Sequence, residues 1–355
     1  QNYGTQRTRS GRADMNDMPR FKVDPEALLT ITVGKGQNAR TASRRSAASG
    51  ELLVDLVWDE MRLTKDQADR LTQKLVRQRR NALAKERSSE LKEKAFTAGE
   101  YTLKYLRRDF GNAPEGQKSL WISMHGGGGA PARVNDQQWR NQIKLYTLDE
   151  GIYIAPRAPT DTWNLWHQGH IDDLFDRLIE TFVATEGVDP NRVYLLGYSA
   201  GGDGVYQLAP RMADRFAAAS MMAGHPNNAN PASLRNLPFA IFMGGEDSAY
   251  NRNTVARDWG DRLKKLQAAD PGGYPHRCTI YEGLGHWMDG RDAEGLPWMA
   301  QYTREPWPTK VVWHQSGRTH GRFAWISTGS PKVTKGKTIT AEVDAQTIRI
   351  TKDPL

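Results

Sequence analysis

The sequence predicts an α/β protein in which helices cover both faces of a mostly parallel central sheet. Two observations lead to this prediction. Between about residues 100 and 300, strand-like runs alternate with segments of helical periodicity, which is typical of parallel strands joined by helical crossovers. One of these runs, 120–124, is apolar enough for a strand buried on both faces, and it leads directly into consecutive glycines.

The individual elements follow from periodicity and composition. A helix is predicted over 171–184, because its large apolar residues fall on one face: Leu174, Phe175, Leu178, Ile179 and Phe182. Further helices are predicted from Gly202 onward and over 254–267. The predicted strands are apolar runs bounded by turn residues, at 101–106, 120–124, 151–155, 192–196, 217–222, 239–243 and 278–281.

The two ends of the chain differ from this central region. Residues 1–50 are rich in Arg, Gly, Ser, Thr and Asn and are predicted to be a flexible basic arm, since they can bury little surface. Residues 51–98 are predicted to be a helical segment, with one long helix or two over 63–94, where neither Pro nor Gly occurs.

Residues 99–302 form the predicted α/β domain, and a small β-rich appendage is predicted at 303–355. There, helical periodicity stops and short strand-like runs appear at 311–313, 322–326, 338–343 and 347–350.

The basic charge is concentrated at the ends of the chain. Lys and Arg outnumber Asp and Glu by 9 to 4 in residues 1–50 and by 9 to 4 in residues 301–355, but stand at 31 to 33 between them. No nucleic-acid partner is therefore expected for the central domain. The absence of any apolar run of about 18 residues predicts no membrane partner, and the single cysteine, Cys278, excludes an intrachain disulfide. The oligomeric state is left open.

The main functional signal is the motif Gly-Tyr-Ser-Ala-Gly-Gly at 197–202, between an apolar strand and a helical stretch. A tight turn from strand to helix projects a serine hydroxyl from the sheet, where a base can activate it. Gly197 and Gly201 permit the crowded backbone of such a turn. Ser199 is therefore the predicted nucleophile, although an ordinary glycine-rich turn is the alternative.

An acid and a histidine are expected on later strands, in that order. Asp247 follows the predicted strand at 239–243, and His286 follows the one at 278–281. Because the carboxyl ends of parallel strands share one edge of a sheet, Ser199, Asp247 and His286 are predicted to converge. Glu246 is the alternative acid, whereas Asp203 on the serine's helix is expected to face away.

Backbone amides are expected to stabilise the oxyanion that forms during acyl transfer. One is assigned to Ala200 and the other to Gly126 or Gly127, which lie in the glycine-rich run after the strand at 120–124. A phosphate-binding loop is the competing interpretation, but no Gly-Lys-Ser/Thr follows the run, and the helix and acidic partner of a dinucleotide site are lacking. This chemistry needs no metal and no cofactor.

The passage Val-Asp-Pro-Asn-Arg-Val at 188–193, which leads into the serine motif, resembles the polyhydroxybutyrate depolymerase-like and feruloyl esterase-like branch of the α/β-hydrolases. The resemblance covers about residues 100–300. It implies the α/β-hydrolase fold and a secreted or periplasmic serine esterase. The implied substrate is an ester-linked polymer or an ester with an aromatic acyl group. The chain departs from the pattern in lacking paired cysteines and in carrying the N-terminal helical segment. Its first residue, Gln1, is consistent with removal of a signal peptide or with a trimmed sequence.

Several side chains outside the triad are candidate substrate contacts. They share a position in loops expected at the same edge of the sheet, and they are His125, Trp163, Trp166, His225 and Trp287. Packing is the alternative role for the three tryptophans, and a structural or capping role is the alternative for His225. A metal site built from His167, His170, Asp172 and Asp173 is a further alternative, but its spacing is loose.

The predicted activity is hydrolysis of carboxylic esters through an acyl-enzyme intermediate. A serine peptidase would use the same residues, since esters and amides react through the same apparatus. A different class of function is a vestigial hydrolase whose basic ends and β-rich appendage bind a polymer, although such proteins usually lose one of the three catalytic residues.

Overall fold

The computed structural model describes residues 64–316, 321–327, 335–344 and 347–352, together with four short strands between residues 20 and 53. It separates into two compact units, Gln1–Ser88 and Ser89–Leu355. Within the residues so described, no helix is both long enough and apolar enough to cross a membrane.

The first unit contains two antiparallel strand pairs and a helix. Strand β1 (Arg20–Lys22) pairs with β4 (Glu51–Leu53), and β2 (Leu28–Val33) pairs with β3 (Arg40–Arg45). The arm predicted over 1–50 thus contains paired strands, and its remaining residues lie outside the described part of the chain. Its flexibility stays a prediction.

Helix α1 (Lys65–Glu86) begins with a capping box. The hydroxyl of Thr64 accepts from the amide of Gln67, and the side chain of Gln67 accepts from the amide of Thr64. A short helix, α2 (Ser88–Glu93), follows, so the helical run predicted over 63–94 is two helices.

The second unit is built on an eight-stranded sheet with the order β12-β11-β10-β9-β7-β8-β6-β5. Strands β7 to β12 run parallel, and β6 and β5 form an antiparallel edge. The bounds of these strands are β5 Ala95–Ala98, β6 Tyr101–Phe110, β7 Lys118–Met124, β8 Gly151–Arg157, β9 Val188–Tyr198, β10 Ala218–Met222, β11 Phe239–Gly244 and β12 His276–Tyr281. The predicted α/β class is confirmed, but β5 lies in the segment that was predicted to be helical.

Helices lie between these strands and cover both faces of the sheet. They are α3 (Ala132–Gln142), α4 (His170–Thr185), α5 (Ala200–Arg211), α6 (Arg252–Ala269) and α7 (Gly295–Met299). Successive residues of β9 point to opposite faces of the sheet, as expected for a strand. Leu195 belongs to one buried apolar cluster, and Tyr194 and Leu196 belong to the other. The core is therefore split into two layers by the sheet.

The C-terminal strands form small antiparallel sheets. Strands β13 (Lys310–His314), β16 (Thr338–Asp344) and β17 (Thr347–Lys352) form one sheet, and β14 (Arg322–Phe323) pairs with β15 (Ile326–Ser327). The single strand predicted over 322–326 is wrong, because the chain turns there and Ala324 has a positive φ of 50°.

These strands are not a detached appendage. Val311, Trp313, Ile339 and Ala341 are buried in the same apolar cluster as the strands of the central sheet. Residues Ser89–Leu355 accordingly form one compact unit.

Candidate active site

Ser199 lies at the turn between β9 and α5. Its backbone has φ 57° and ψ −120°, a conformation that is costly for a residue with a side chain and is found where the surrounding structure enforces it. Its amide donates a hydrogen bond to the carbonyl of Met222 at the end of β10, 2.9 Å away. The predicted strand–turn–helix context of the serine is present.

Two glycines allow this turn to pack closely against the sheet. A β-carbon on Gly197 would lie 2.3 Å from the carbonyl oxygen of Gly201, and one on Gly201 would lie 2.1 Å from the carbonyl oxygen of Met124. Both positions therefore require glycine, because the neighbouring atoms belong to the backbone and cannot move aside.

The structure brings Ser199, His286 and Asp247 together. His286 follows β12 and Asp247 follows β11, and these strands are parallel neighbours. The Nε2 atom of His286 is 3.0 Å from the hydroxyl oxygen of Ser199, and its Nδ1 atom is 2.7 Å from Oδ2 of Asp247. In the neutral imidazole, Nδ1–H donates to the carboxylate and Nε2 accepts from the serine, which is the arrangement that general-base activation needs.

The carboxylate that contacts His286 is that of Asp247 and not that of its neighbour. The Asp247 side chain is buried, and its second oxygen lies 3.4 Å from the guanidinium of Arg252. Glu246, the alternative acid, is exposed. Asp203 accepts a hydrogen bond from the amide of His225 at 2.6 Å, and burial raises its pKa above 3.8. As expected, Asp203 does not face the catalytic histidine and instead contacts the backbone of His225.

The glycine-rich loop after β7 lies directly beside the serine. A β-carbon on Gly126 would lie 3.0 Å from Cβ and 3.7 Å from Oγ of Ser199. Gly127 has a positive φ of 102°, and a β-carbon there would lie 2.2 Å from Oδ1 of Asn135. The loop can approach the nucleophile this closely only because these residues have no side chain.

Asn135 on α3 holds the loop in place, a role that no sequence pattern predicted. Its Oδ1 accepts from the amide of Gly128 at 2.8 Å, and its Nδ2 donates to Asp161 at 2.8 Å and to the carbonyl of Ala130 at 3.1 Å. Asp161 is in turn paired with Arg157 at 2.5 Å. A polar network therefore fixes the loop from behind.

The central part of the chain is similar to a known family of hydrolases. Residues 151–306 match the sequence model of the dienelactone hydrolase family. This match covers the serine turn, the loops that carry Asp247 and His286, and five of the six parallel strands, β8 to β12. The chain has the α/β-hydrolase fold. The family match agrees with the resemblance found in the sequence.

Curated relatives of this α/β-hydrolase carry esterase names. It is 26% identical over 175 residues to feruloyl esterase B of Thermothelomyces thermophilus, covering 46% of this chain and 57% of the relative. It is 29% identical over 176 residues to the bifunctional acetylxylan esterase/xylanase XynS20E of Neocallimastix patriciarum, covering 46% and 25%. The chain thus spans little more than half of one relative and a quarter of the other.

A poly(3-hydroxybutyrate) depolymerase from Bordetella parapertussis is one of the similar solved structures. It has 20% sequence identity and a TM-score of 0.40, and the similarity covers 56% of this chain and 88% of the depolymerase.

Two predicted substrate contacts of this α/β-hydrolase are wrong, because His125 and Trp166 are fully buried. Nδ1–H of His125 donates to the carbonyl of Gly126 at 2.6 Å, and Nε2 accepts from the amide of Ala158 at 3.1 Å. Trp166 donates from its indole to the carbonyl of His125 at 3.0 Å. Both residues hold the glycine-rich loop from inside the protein and have no surface to offer a substrate.

The imidazole of His125 is neutral. Burial lowers its pKa from 6.5 to about 4, and the acceptor role of Nε2 requires the unprotonated form. Because its Nδ1–H bonds to the carbonyl of Gly126, and N–H and C=O point in opposite directions across a trans peptide, the amide of Gly127 faces away from His125.

The other candidate contacts remain accessible. Trp163 is 64% exposed and Trp287 is 54% exposed, and the Trp287 ring lies 5.7 Å from that of Tyr198. His225 is half-buried, and its Nδ1 accepts from the amide of Asn227 at 2.9 Å. Their roles at the substrate stay predictions.

The metal site considered from the sequence has no support. Asp172 is paired with Arg211 at 2.5 Å, and the ring of His170 stacks on that of Tyr101 at 3.7 Å. Within the described ranges, no group of three or more His, Cys, Asp or Glu side chains is placed to hold a metal ion.

Tyr198 is a site residue that sequence reasoning missed. Its hydroxyl donates to the carbonyl of His286 at 2.7 Å and accepts from the amide of Met288 at 3.2 Å. Burial raises the pKa of this hydroxyl, so it remains protonated and able to donate. Tyr198 directly precedes the nucleophile in the motif. Its contact with the histidine loop joins residues 88 positions apart, so no local pattern could predict it.

Proposed function

We propose that this protein hydrolyses carboxylic esters through an acyl-enzyme intermediate on Ser199. The observation that carries the proposal is the continuous hydrogen-bonded chain from Ser199 through His286 to the buried carboxylate of Asp247. The esterase-like character of the family supports the same conclusion.

In the acylation step, the Ser199 oxygen attacks the ester carbonyl while Nε2 of His286 accepts its proton. Asp247 keeps the proton of His286 on Nδ1 and stabilises the imidazolium that forms. His286 then gives its proton to the departing alcohol as the carbon–oxygen bond breaks. Water repeats the sequence in reverse and releases the acid, so the balance requires only ester and water.

The oxyanion of the tetrahedral intermediate is proposed to bind the amides of Ala200 and of Gly127 or Gly126. Ala200 is the first residue of α5, and the first amides of a helix have no acceptor within it. The closeness of Gly126 to Ser199 and the orientation of the Gly127 amide support a second donor from the loop.

The substrate is proposed to be an ester with a short or an aromatic acyl group. Two observations support it: the relatives named as feruloyl and acetylxylan esterases, and the exposed rings of Trp163 and Trp287 in the loops around the triad. An ester is favoured over an amide because an alcohol leaves more readily than an amine.

The test is release of p-nitrophenol from acetate, butyrate and octanoate esters by the wild type and Ser199→Ala, with methyl ferulate and a peptide p-nitroanilide as further substrates. We expect ester turnover that Ser199→Ala abolishes while remaining folded, as judged by circular dichroism. Comparable turnover of the anilide would indicate a peptidase. A folded wild type that cleaves none of these substrates would contradict the proposal.

A further inference from the structure

A cavity of about 360 Å³ lies between α5, the loop at 163–168 and the C-terminal strands. Its volume is in the range of small-molecule sites. Gln207 on α5, Asn228 in the loop after β10 and His314 on β13 all contribute to its wall. None of these residues takes part in the proposed chemistry.

One edge of the cavity contacts the glycine-rich loop. Trp163, at its edge, contacts the glycine-rich loop: a β-carbon on Gly128 would lie 3.0 Å from the carbonyl oxygen of Trp163, and one on Gly129 would lie 3.4 Å from its Cβ. Gln207 is eight residues beyond Ser199 on α5, which corresponds to about 12 Å along the helix. A ligand in the cavity would therefore contact Trp163, which packs on the glycine-rich loop that follows Gly126.

The wall offers both donors and acceptors from fixed amides. The Nε2 atom of Gln207 donates to the carbonyl of Pro226 and to Oδ1 of Asn228, and that of Gln168 donates to Thr162 and Asn164. Within the described residues this leaves the Oε1 atoms of the two glutamines as acceptors and the Nδ2 groups of the two asparagines as donors.

This mixture suits hydroxyl groups, which donate and accept at once. An anion would need donors alone, and the charge at the cavity is low. Arg211 is neutralised by Asp172 at 2.5 Å, Lys335 is the remaining charged residue of the described lining, and no carboxylate of the described residues lines the cavity. The exposed indole of Trp163 adds a flat apolar surface on which the C–H face of a sugar ring can pack.

We infer that this cavity is a binding site for a neutral saccharide, formed jointly by the hydrolase core and the C-terminal strands. The inference rests on the proposed esterase function in one respect, because the saccharide is taken to be the alcohol portion of the ester. It gives the C-terminal strands a role in holding the saccharide portion of the substrate.

The test is calorimetric titration of the full chain with xylotetraose and, separately, with inorganic phosphate, for the wild type, Gln207→Leu and Asn228→Ala. Gln137→Leu is the matched control, since Gln137 is exposed on α3 and does not line the cavity. We expect binding of xylotetraose that is weakened about tenfold in the two cavity variants, as loss of one hydrogen bond would give, and is unchanged in the control.

Hydrolysis of p-nitrophenyl acetate by each variant separates the two proposals. Retained turnover with weakened saccharide binding supports the cavity as a saccharide site. The inference would be overturned if an active wild type did not bind xylotetraose, if all variants bound it equally, or if phosphate bound in its place. None of these results would affect the esterase function. A wild type without turnover would instead count against the proposed function.

Discussion

The two sides of the candidate active site are held in different ways. On the serine side, a β-carbon on Gly201 would meet the backbone of Met124 at 2.1 Å, whereas on the histidine side a β-carbon on Gly285 would meet no described atom within 4 Å. The Asp247 carboxylate and the Tyr198 hydroxyl instead hold the half-exposed His286 through hydrogen bonds. The backbone of the histidine loop also packs closely at Gly244, where a β-carbon would lie 2.0 Å from the carbonyl oxygen of Gly285. The two sides therefore differ at Gly201 and Gly285, and polar contacts hold the His286 side chain.

The largest expected effect tests the polar contact of the histidine side. In Asp247→Asn the amide no longer favours a proton on Nδ1 of His286, and we expect kcat for p-nitrophenyl acetate to fall about 10⁴-fold. Circular dichroism should show a folded variant, because the substitution preserves the shape of the side chain.

Glu246→Gln is the matched control, since this neighbouring carboxylate is exposed and does not contact His286. We expect it to retain the activity of the wild type. An equal loss in both variants, or full activity in Asp247→Asn, would show that the contact between Asp247 and His286 does not control the base.

A pair of glycine substitutions tests the steric contrast directly. Gly201→Ala forces a methyl group against a carbonyl that cannot retreat, and we expect a loss of about 3 kcal/mol in the free energy of unfolding. Gly285→Ala places its methyl group in open space at an ordinary backbone conformation, and we expect a change within about 0.5 kcal/mol. Urea denaturation measures both, and equal losses would remove the distinction between these two positions.

The pH dependence of stability reports the buried imidazole on the serine side. Burial lowers the pKa of His125 to about 4, below the 6.5 of the unfolded chain, so between these values the unfolded state binds the proton and the folded state does not. The neutral His125 therefore contributes its full share to the free energy of unfolding above about pH 6.5, and this share is lost as the pH drops toward 4. The full contribution of this pKa shift is about 3 kcal/mol.

His125→Asn keeps a donor near the carbonyl of Gly126 but cannot titrate. We expect urea denaturation between about pH 7.5 and about pH 4.5 to show a smaller loss of stability on acidification for the variant than for the wild type. Parallel curves for the two proteins would mean that His125 is protonated in the folded state as readily as in the unfolded one.

Local sequence patterns predicted the three triad residues but not the buried residues behind them. Ser199, Asp247 and His286 follow strands of one parallel sheet, so local patterns and chain order were enough to expect their convergence. The burial of His125 and Trp166 could not be predicted in this way. A loop position next to a catalytic motif favours exposure, whereas burial depends on which side of the loop packs against the core.

The fold also contains elements that local sequence patterns could not predict. The face of α4 was predicted because its large apolar residues recur at helical spacing, but β5 was assigned to the preceding helical segment. Strand pairing with β6 decides the conformation of Ala95–Ala98, and such pairing is non-local. Likewise, the burial of Trp313 in the main core depends on distant partners, so the C-terminal strands looked like an appendage in the sequence.

Tyr198 links the two sides of the site, and its removal should have the smallest effect of the series. The hydroxyl comes from the end of β9, beside the nucleophile, and bonds to the backbone of the histidine loop at His286 and Met288. Tyr198→Phe removes both bonds and leaves the amide of Met288 without this acceptor, which we expect to cost about 1 to 2 kcal/mol in the free energy of unfolding.

The consequence for catalysis separates positioning from simple stability. If the hydroxyl positions His286, kcat for p-nitrophenyl acetate should fall about tenfold in Tyr198→Phe while KM changes little, because the base is displaced and the acyl pocket is not. Tyr153→Phe is the matched control, since that buried hydroxyl bonds to the carbonyl of Gln142 and not to the histidine loop. A similar loss of stability with unchanged kcat in both variants would show that the polar contacts of the histidine side tolerate the loss of Tyr198.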